Sequence, residues 1–452
     1  MRWWDESMFA VNTYEMMQNG KWFSLYYDGA VDLFNTKPPL TNWLQILSVK
    51  IGGYNELSLR MPSAIATALS ILVLFKFLSE KFSVLMGWCG ALVLLTSFGF
   101  IHFHTGRTAD SDALLSFFVL MANLCFANFL LGEKKRHVMW FFVFITLAFL
   151  VKLYAALLFV PAYIFFLFYK KRVREFVLNW QFLIGLVFFV LSIGSLFYLR
   201  ELDAPGYLNE ILFKDAGRML HVVENHNERL FFYIENLFKT RFSIWFMFFI
   251  IGAVCSFIYA EKRNTILHLF IAFVVSYLVI IMISVTKLEW YDMPLYPYLA
   301  AVAAYPIYLG IEKFKKSETG LTTKLKYFIL AVIFIYPYSM MFKKSQRNEI
   351  RLAVGYKEAN ERFLNKKIKE DESLDGVTVF HSDWNGALLF YKYKLAELGQ
   401  NLTLCNEVDQ LKTADKVLVN TPELKAKLEQ HFVIKLAEQN RNAELYELSL
   451  KQ

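Results

Sequence analysis

The chain has 452 residues, of which 56% are hydrophobic, 17% aromatic and only 19% charged. Soluble globular chains are about a quarter charged, so this composition excludes a disordered, collagen-like or disulfide-stapled chain. The net charge of +8 is spread over an apolar sequence with no separate basic domain, which argues against nucleic acid and for a polytopic membrane protein.

Charge is distributed unevenly along the chain. After Phe342 there are 18 Lys+Arg and 17 Asp+Glu, whereas the three-fold longer stretch before it holds 30 and 23. We therefore divide the chain into a membrane region, 1–342, and a soluble tail, 343–452.

The first segment, 1–61, is polar and aromatic. Phe9 to Met17 and Leu40 to Ile51 have apolar stripes and predict helices lying along the bilayer surface. Pro38-Pro39 suits the start of the second, where a missing N–H costs little. Lys37 then stands just before a helix N-terminus, a favourable place for a phosphate, although a snorkelling interfacial lysine looks the same.

Ten apolar stretches follow, at about 62–79, 84–104, 113–131, 138–151, 154–169, 177–198, 242–260, 265–286, 292–311 and 325–342. Most approach the ~20 residues that cross a bilayer, and 138–169 reads as a broken hairpin. The basic turns Lys134-Lys135-Arg136, Lys170-Lys171-Arg172-Arg174, Lys262-Arg263 and Lys313-Lys315-Lys316 alternate along the chain and mark the cytoplasmic side. The opposite, periplasmic side of an inner membrane then receives 1–61, the turn 105–112, the loop 199–241, the turn 287–291 and the tail. An outer segment this early in the sequence leads us to expect a further span upstream of it.

That outer face carries the unusual residues. The turn His102-Phe103-His104-Thr105-Gly106-Arg107-Thr108-Ala109-Asp110-Ser111-Asp112 places charge at membrane depth, where it is costly unless paired or used. A histidine pair beside two acids offers ligands to a divalent metal, but this spacing is a weak signal. Lys152 interrupts an apolar run. The loop 199–241 holds Lys214, Asp215, Arg218, His221, His226 and Arg229. Lys287, Glu289, Tyr291 and Asp292 open another span. Basic residues and aromatics on one face suit an anionic, partly lipidic sugar donor, and a carboxylate there can deprotonate an acceptor hydroxyl.

The ordered set Asp5-Glu6, Glu15-Met16, Gly20-Lys21-Trp22, Lys37-Pro38-Pro39-Leu40, Asn55-Glu56 and Arg60-Met61-Pro62-Ser63 resembles the first outer loop of GT-C membrane glycosyltransferases. The branch is that of protein O-mannosyltransferases and the lipid A aminoarabinose transferase. Arg107 to Leu115, Leu150-Val151-Lys152 and Lys287…Tyr291…Pro294…Pro297 continue the likeness, which spans nearly all of the membrane region. It implies a mainly α, polytopic fold and a single-step inverting transfer from a polyprenyl-phosphate sugar to a lipid, protein or glycan acceptor. It also implies Asp5 as base or acceptor-positioning acid with Glu6 beside it, and Asp112 or Asp110 as the acid of the second turn. Lys37, Arg107, Lys152, Lys287 and Tyr291 would hold the donor, with Arg218 and His226 as additional candidates.

Two features depart from that pattern. Thr36 stands where the aminoarabinose branch often has an acid. The metal-binding histidine of that branch has no clear counterpart, because Asp215 or His226 falls at the corresponding place. No cofactor is therefore assigned.

The tail reads as a small α/β domain without chemistry of its own. Its predicted helices are 347–369, 385–398 and 422–431; its strands are 377–380, 417–419, 432–436 and 444–448. The rival to a transferase is a transporter or flippase of a lipid-linked sugar, for which internal repeats are the usual mark. No such repeat is visible.

Overall fold

The computed structural model describes residues 1, 4–102, 104–217, 228–259, 264–316, 323–354, 356, 358–382 and 384–451. The outer segment forms α1 (Asp5–Asn19), a short hairpin of β1 (Tyr26–Tyr27) and β2 (Ala30–Val31), and α2 (Leu40–Gly52). Gly20, left-handed at φ 64°, closes α1 by donating its N–H to the Met16 carbonyl. Pro39 caps α2, as the Pro-Pro pair predicts.

The membrane region continues through α3 (Glu56–Lys81), α4 (Val84–Leu95), α5 (Phe98–Ile101), α6 (Asp112–Leu130), α7 (His137–Lys152), α8 (Val160–Tyr169), α9 (Val173–Val177) and α10 (Trp180–Asp203). After the large loop, with α11 (Tyr207–Glu210) and α12 (Phe232–Asn236), come α13 (Ser243–Ile258), α14 (Asn264–Ile283), α15 (Tyr296–Lys316) and α16 (Thr323–Val354). Side chains of Asn55, Ser83 and Asn179 accept backbone N–H groups at the starts of α3, α4 and α10, satisfying donors that a helix end leaves open.

All ten predicted stretches fall on helices. Among the described residues, six helical runs are long and apolar enough to cross a membrane: α3, α6, His137–Leu157, α10, α14 and Phe328–Arg347. A bent pair, Phe232–Arg241 with Ser243–Ile258, turns by 115° and makes a seventh if counted as one span. The stretch 84–104 breaks at Thr96-Ser97 into α4 and α5, so it is shorter than predicted. The expected hairpin break is a 3-10 turn, Leu153–Leu157, that follows Lys152 with Leu153 at φ 36°. Helices α3, α4, α6, α7, α13, α14 and α15 share one apolar core. Leu183, Leu191 and Tyr198 on α10 and Phe328, Ile335 and Phe342 on α16 are exposed, as lipid-facing side chains should be.

The tail begins within α16, which runs through Phe342 without a break. It continues as α17 (Ala359–Lys369), β3 (Val377–Phe380), α18 (Gly386–Glu397), β4 (Leu402–Cys405), β5 (Lys416–Val419), α19 (Pro422–His431), β6 (Phe432–Asn440) and β7 (Ala443–Leu450). The sheet order is β4-β3-β5-β7-β6, with β3 parallel to β4 and β5 and the last two strands antiparallel. Strand β4 was not predicted, because Leu402-Thr403-Leu404-Cys405 is a weak four-residue pattern.

The tail is not a separate body. Ala10, Val49, Tyr54, Leu59 and Ala109 from the membrane region share one core with Phe363, Leu388, Phe390 and Tyr391 from the tail. Helix α1 is consequently buried between α2 and α18. Its flank is covered by protein, a contact that its own periodicity cannot disclose.

Candidate active site

A buried polar network shapes the loop between the hairpin and α2. The Asn12 amide donates to the Tyr26 carbonyl at 2.7 Å and to Asp32 at 2.9 Å. Asn35 donates to Asn12 at 2.8 Å, and Asp32 accepts the Asn35 backbone N–H at 2.9 Å. From beneath, Arg200 near the end of α10 donates to the carbonyls of Lys37 (2.6 Å) and Asn35 (2.7 Å), while the Tyr207 hydroxyl donates to Thr36 (2.9 Å). Arg200 is 1% exposed, its guanidinium spent on backbone oxygens. These contacts fix Lys37 so that its Nζ lies 3.7 Å from the Asp5 carboxylate and 5.2 Å from the Phe9 ring centre. Both Asp5 and Lys37 remain partly exposed.

Glu6 plays a different part from Asp5. Arg60 grips its carboxylate with two bonds of 2.6 and 2.8 Å, and the Ala109 N–H adds a third at 2.9 Å. Burial alone would raise its pKa, but the Arg60 guanidinium more than offsets this and holds the carboxyl below its usual range. Glu6 thereby ties α1 to α3 and to the second outer turn.

That turn brings His104 and Asp110 to Asp5. One ligand atom from each of these three residues lies within 4.8 Å of the others, an arrangement able to hold a cation. His104 Nδ1 is 3.4 Å from Asp110, its ring stacks on Trp290 at 3.7 Å, and Thr108 donates to Asp110. Burial would lower the His104 pKa; the Asp110 carboxylate, with Asp5 and Asp112 beyond it, raises it above the ordinary histidine value. His104 also takes a positive φ of 58°, an uncommon conformation for a non-glycine residue.

The other predicted residues occupy distinct positions. Asp112 opens α6 and accepts a 2.6 Å bond from Lys152, whose Nζ lies 4.9 Å from the Tyr291 ring centre. Those three form one cluster across α6, α7 and the Glu289–Leu295 turn, with Asp112 buried and Lys152 and Tyr291 partly exposed. Arg107 is exposed and donates to Ser345 of α16, beside a groove of about 240 Å³ lined by Phe98, Ile101, Met341 and Phe342. Lys287 does not join the Asp5–Lys37 pair: it is buried and donates to the carbonyls of Ser284 (2.6 Å) and Glu228 (3.2 Å), finishing the end of α14. Arg218 and His226 lie outside the described residues.

Two buried arginines escaped the sequence reading. Arg200 is one. The other is Arg241, bonded to Asp292 at 2.8 Å and to the Gly99 carbonyl at 3.1 Å, at the bend before α13. An arginine at the end of an apolar run reads as interfacial; only its three-dimensional partners distinguish it.

Comparison with known proteins bears on this geometry. The family model of dolichyl-phosphate-mannose-protein mannosyltransferases matches residues 36–198. A protein of Aquifex aeolicus with no assigned activity is 24% identical over 307 residues, covering 66% of this chain and 58% of the relative. The undecaprenyl phosphate-alpha-4-amino-4-deoxy-L-arabinose arabinosyl transferase of Pseudomonas savastanoi is 28% identical over 182 residues, 38% of this chain and 32% of that one. The chain thus spans about three-fifths or less of these relatives. The crystal structure of ArnT from Cupriavidus metallidurans bound to undecaprenyl phosphate superposes with a TM-score of 0.70 at 14% identity, over 98% of this chain and 93% of that one.

Proposed function

We propose that this chain, which has the fold of the GT-C membrane glycosyltransferases, is an inverting transferase that moves a sugar from a polyprenyl-phosphate donor to a hydroxyl or amine of a lipid, protein or glycan acceptor. The observation that carries the reading is the Asp5–Lys37 pair, 3.7 Å apart and held from below by Arg200. In an inverting displacement the base and the phosphate-binding cation serve opposite faces of the sugar, so this pair is a resting contact that opens as donor and acceptor enter between the two side chains.

In this reading the donor phosphate draws the Lys37 ammonium away from Asp5, and the lipid tail follows an apolar groove such as the one beside Arg107. The freed Asp5 carboxylate accepts the proton of the acceptor group as that group attacks the anomeric carbon. The carbon–oxygen bond to phosphate breaks, positive charge develops on the ring, and the phosphate departs as an anion neutralised by Lys37. One base suffices for this single displacement. The basic turns support a site on the periplasmic side of an inner membrane, where a lipid-borne donor suits the absence of cytosolic nucleotide sugars.

Transfer from a radiolabelled polyprenyl-phosphate sugar to membrane acceptors tests this. Wild type should transfer label, and Asp5→Asn should fold normally yet lose transfer. A fully active Asp5→Asn protein overturns the assignment.

A further inference from the structure

The tail places an aromatic wall beside Asp5. Trp384 lies in the loop after β3, at the carboxyl edge of the parallel strands, where α/β sheets commonly present binding groups. Its indole stacks on Trp4, the neighbour of Asp5, with ring centres 5.2 Å apart and planes 19° off parallel. The Tyr27 and Phe34 rings meet Trp384 with centres 4.9 Å and 6.4 Å from it. The Tyr27 hydroxyl donates to the Asn385 side-chain oxygen at 2.7 Å, and Lys214 Nζ sits 5.1 Å from the Phe34 ring centre.

Three properties mark this as a binding surface. Trp4 and Phe34 are 40% and 46% exposed, and Tyr27 and Trp384 beside them are partly exposed. Trp4 takes φ 67°, a left-handed conformation that a bulky residue avoids, so packing holds it there against its own preference. The rings also adjoin both Asp5, through Trp4, and Lys37, through the Phe34–Lys37 loop. Exposed flat rings with an amide and an ammonium at the rim match a sugar ring, whose C–H face lies on aromatics while its hydroxyls meet polar groups.

We infer that Trp384, with Trp4, Tyr27 and Phe34, forms a subsite for a sugar ring of the acceptor, so that the tail selects a glycan or glycolipid acceptor for Asp5. This rests on the transferase reading above. Trp384 is a specificity-determining residue in this scheme, and Asp5 carries the chemistry.

Saturation-transfer NMR on the full detergent-solubilised chain tests it, with maltose, cellobiose and di-N-acetylchitobiose as probes and a serine/threonine hexapeptide as comparison. At least one disaccharide should bind the wild type, and Trp384→Ala should weaken it about tenfold, the scale of one lost aromatic contact. Trp384→Phe should retain most of the binding, Phe34→Ala should weaken it with an unchanged melting temperature, and Asp5→Asn should leave it intact. Absence of disaccharide binding to wild type overturns the subsite, as does binding indifferent to both Trp384→Ala and Phe34→Ala, or binding of the peptide alone. Loss of transfer in Asp5→Asn with no disaccharide binding leaves the catalytic reading standing and removes only the subsite. Disaccharide binding with a fully active Asp5→Asn does the reverse.

Discussion

Arg200 donates its Nη1 to the carbonyl oxygen of Lys37 at 2.6 Å, so a buried cation on α10 sets the position of an exposed cation on the outer loop. The pair do not touch through their charges. The guanidinium holds backbone, and the ammonium is left to face Asp5.

Replacement of Arg200 by Met should therefore raise the KM for the polyprenyl-phosphate donor more than it lowers kcat, because the loop loses its register. Charge-assisted hydrogen bonds are each worth roughly 1.5–3 kcal/mol, so unfolding should become easier by about 3 kcal/mol. Steady-state kinetics together with thermal unfolding separate positioning from stability. Equal losses in kcat and kcat/KM would speak for a merely structural role.

Asp5→Asn keeps the size of the side chain but removes the proton acceptor, and should lower kcat about 10²–10⁴-fold, the usual worth of a positioned base. Lys37→Met should instead weaken donor binding and slow departure of phosphate. Donor binding measured separately from turnover distinguishes the two variants.

The Arg241–Asp292 pair is almost completely buried. Breaking it with Asp292→Leu strands a cation inside the protein and should cost about 3–5 kcal/mol, whereas Arg241→Met combined with Asp292→Leu should recover most of that loss. Thermal unfolding of the two single variants and the double variant in one detergent checks the cycle. Full additivity would show that the two charges are not coupled.

Glu361 on α17 is 5% exposed, and burial, aided by Glu358, pushes its pKa from 4.5 up to about 7. The unfolded chain then gives up the proton first, so stability falls as pH rises from about 4.5 through 7. Above that range the cost levels at about 3 kcal/mol. Glu361→Gln should match wild type near pH 4.5 and exceed it at pH 8 when melting is followed across pH. A parallel pair of curves would refute the assignment.

Gly386 starts α18 against α1. A Cβ there would stand 2.7 Å from Trp384 Nε1, 2.8 Å from Ser7 Oγ and 3.1 Å from the Tyr27 hydroxyl. Gly386→Val should push the tail off α1, cost about 1–3 kcal/mol and reduce transfer, as read by melting temperature and label incorporation.

Much of this could be read from the sequence because local chemistry is written locally. Pro38-Pro39 announced the start of α2, the apolar runs announced the helices, and Val377–Phe380 and Pro422–His431 emerged with the predicted bounds. Asp5 and Lys37 were paired by resemblance to a motif order, and the fold puts them together. What remained hidden depends on residues far apart in the chain. Nothing near Arg200 points to the carbonyl of Lys37, nor does anything near Trp384 point to Trp4. The packing of the tail against α1 was hidden for the same reason, since the periodicity of α1 does not say what covers it. Nor does the sequence reveal that Lys287 bonds carbonyls near the end of α14, because such a lysine looks, in sequence, like a lysine awaiting a phosphate.

The core shared by α1 and α18 orders events in time. Residues near Asp5 leave the ribosome well before Phe390 and Tyr391, which complete their packing. The outer helix must therefore wait, half-built, while every span between is inserted. Until the tail docks, α1 lacks the packing of α18 along one flank, so the segment that carries Asp5 is completed only by residues far along the chain.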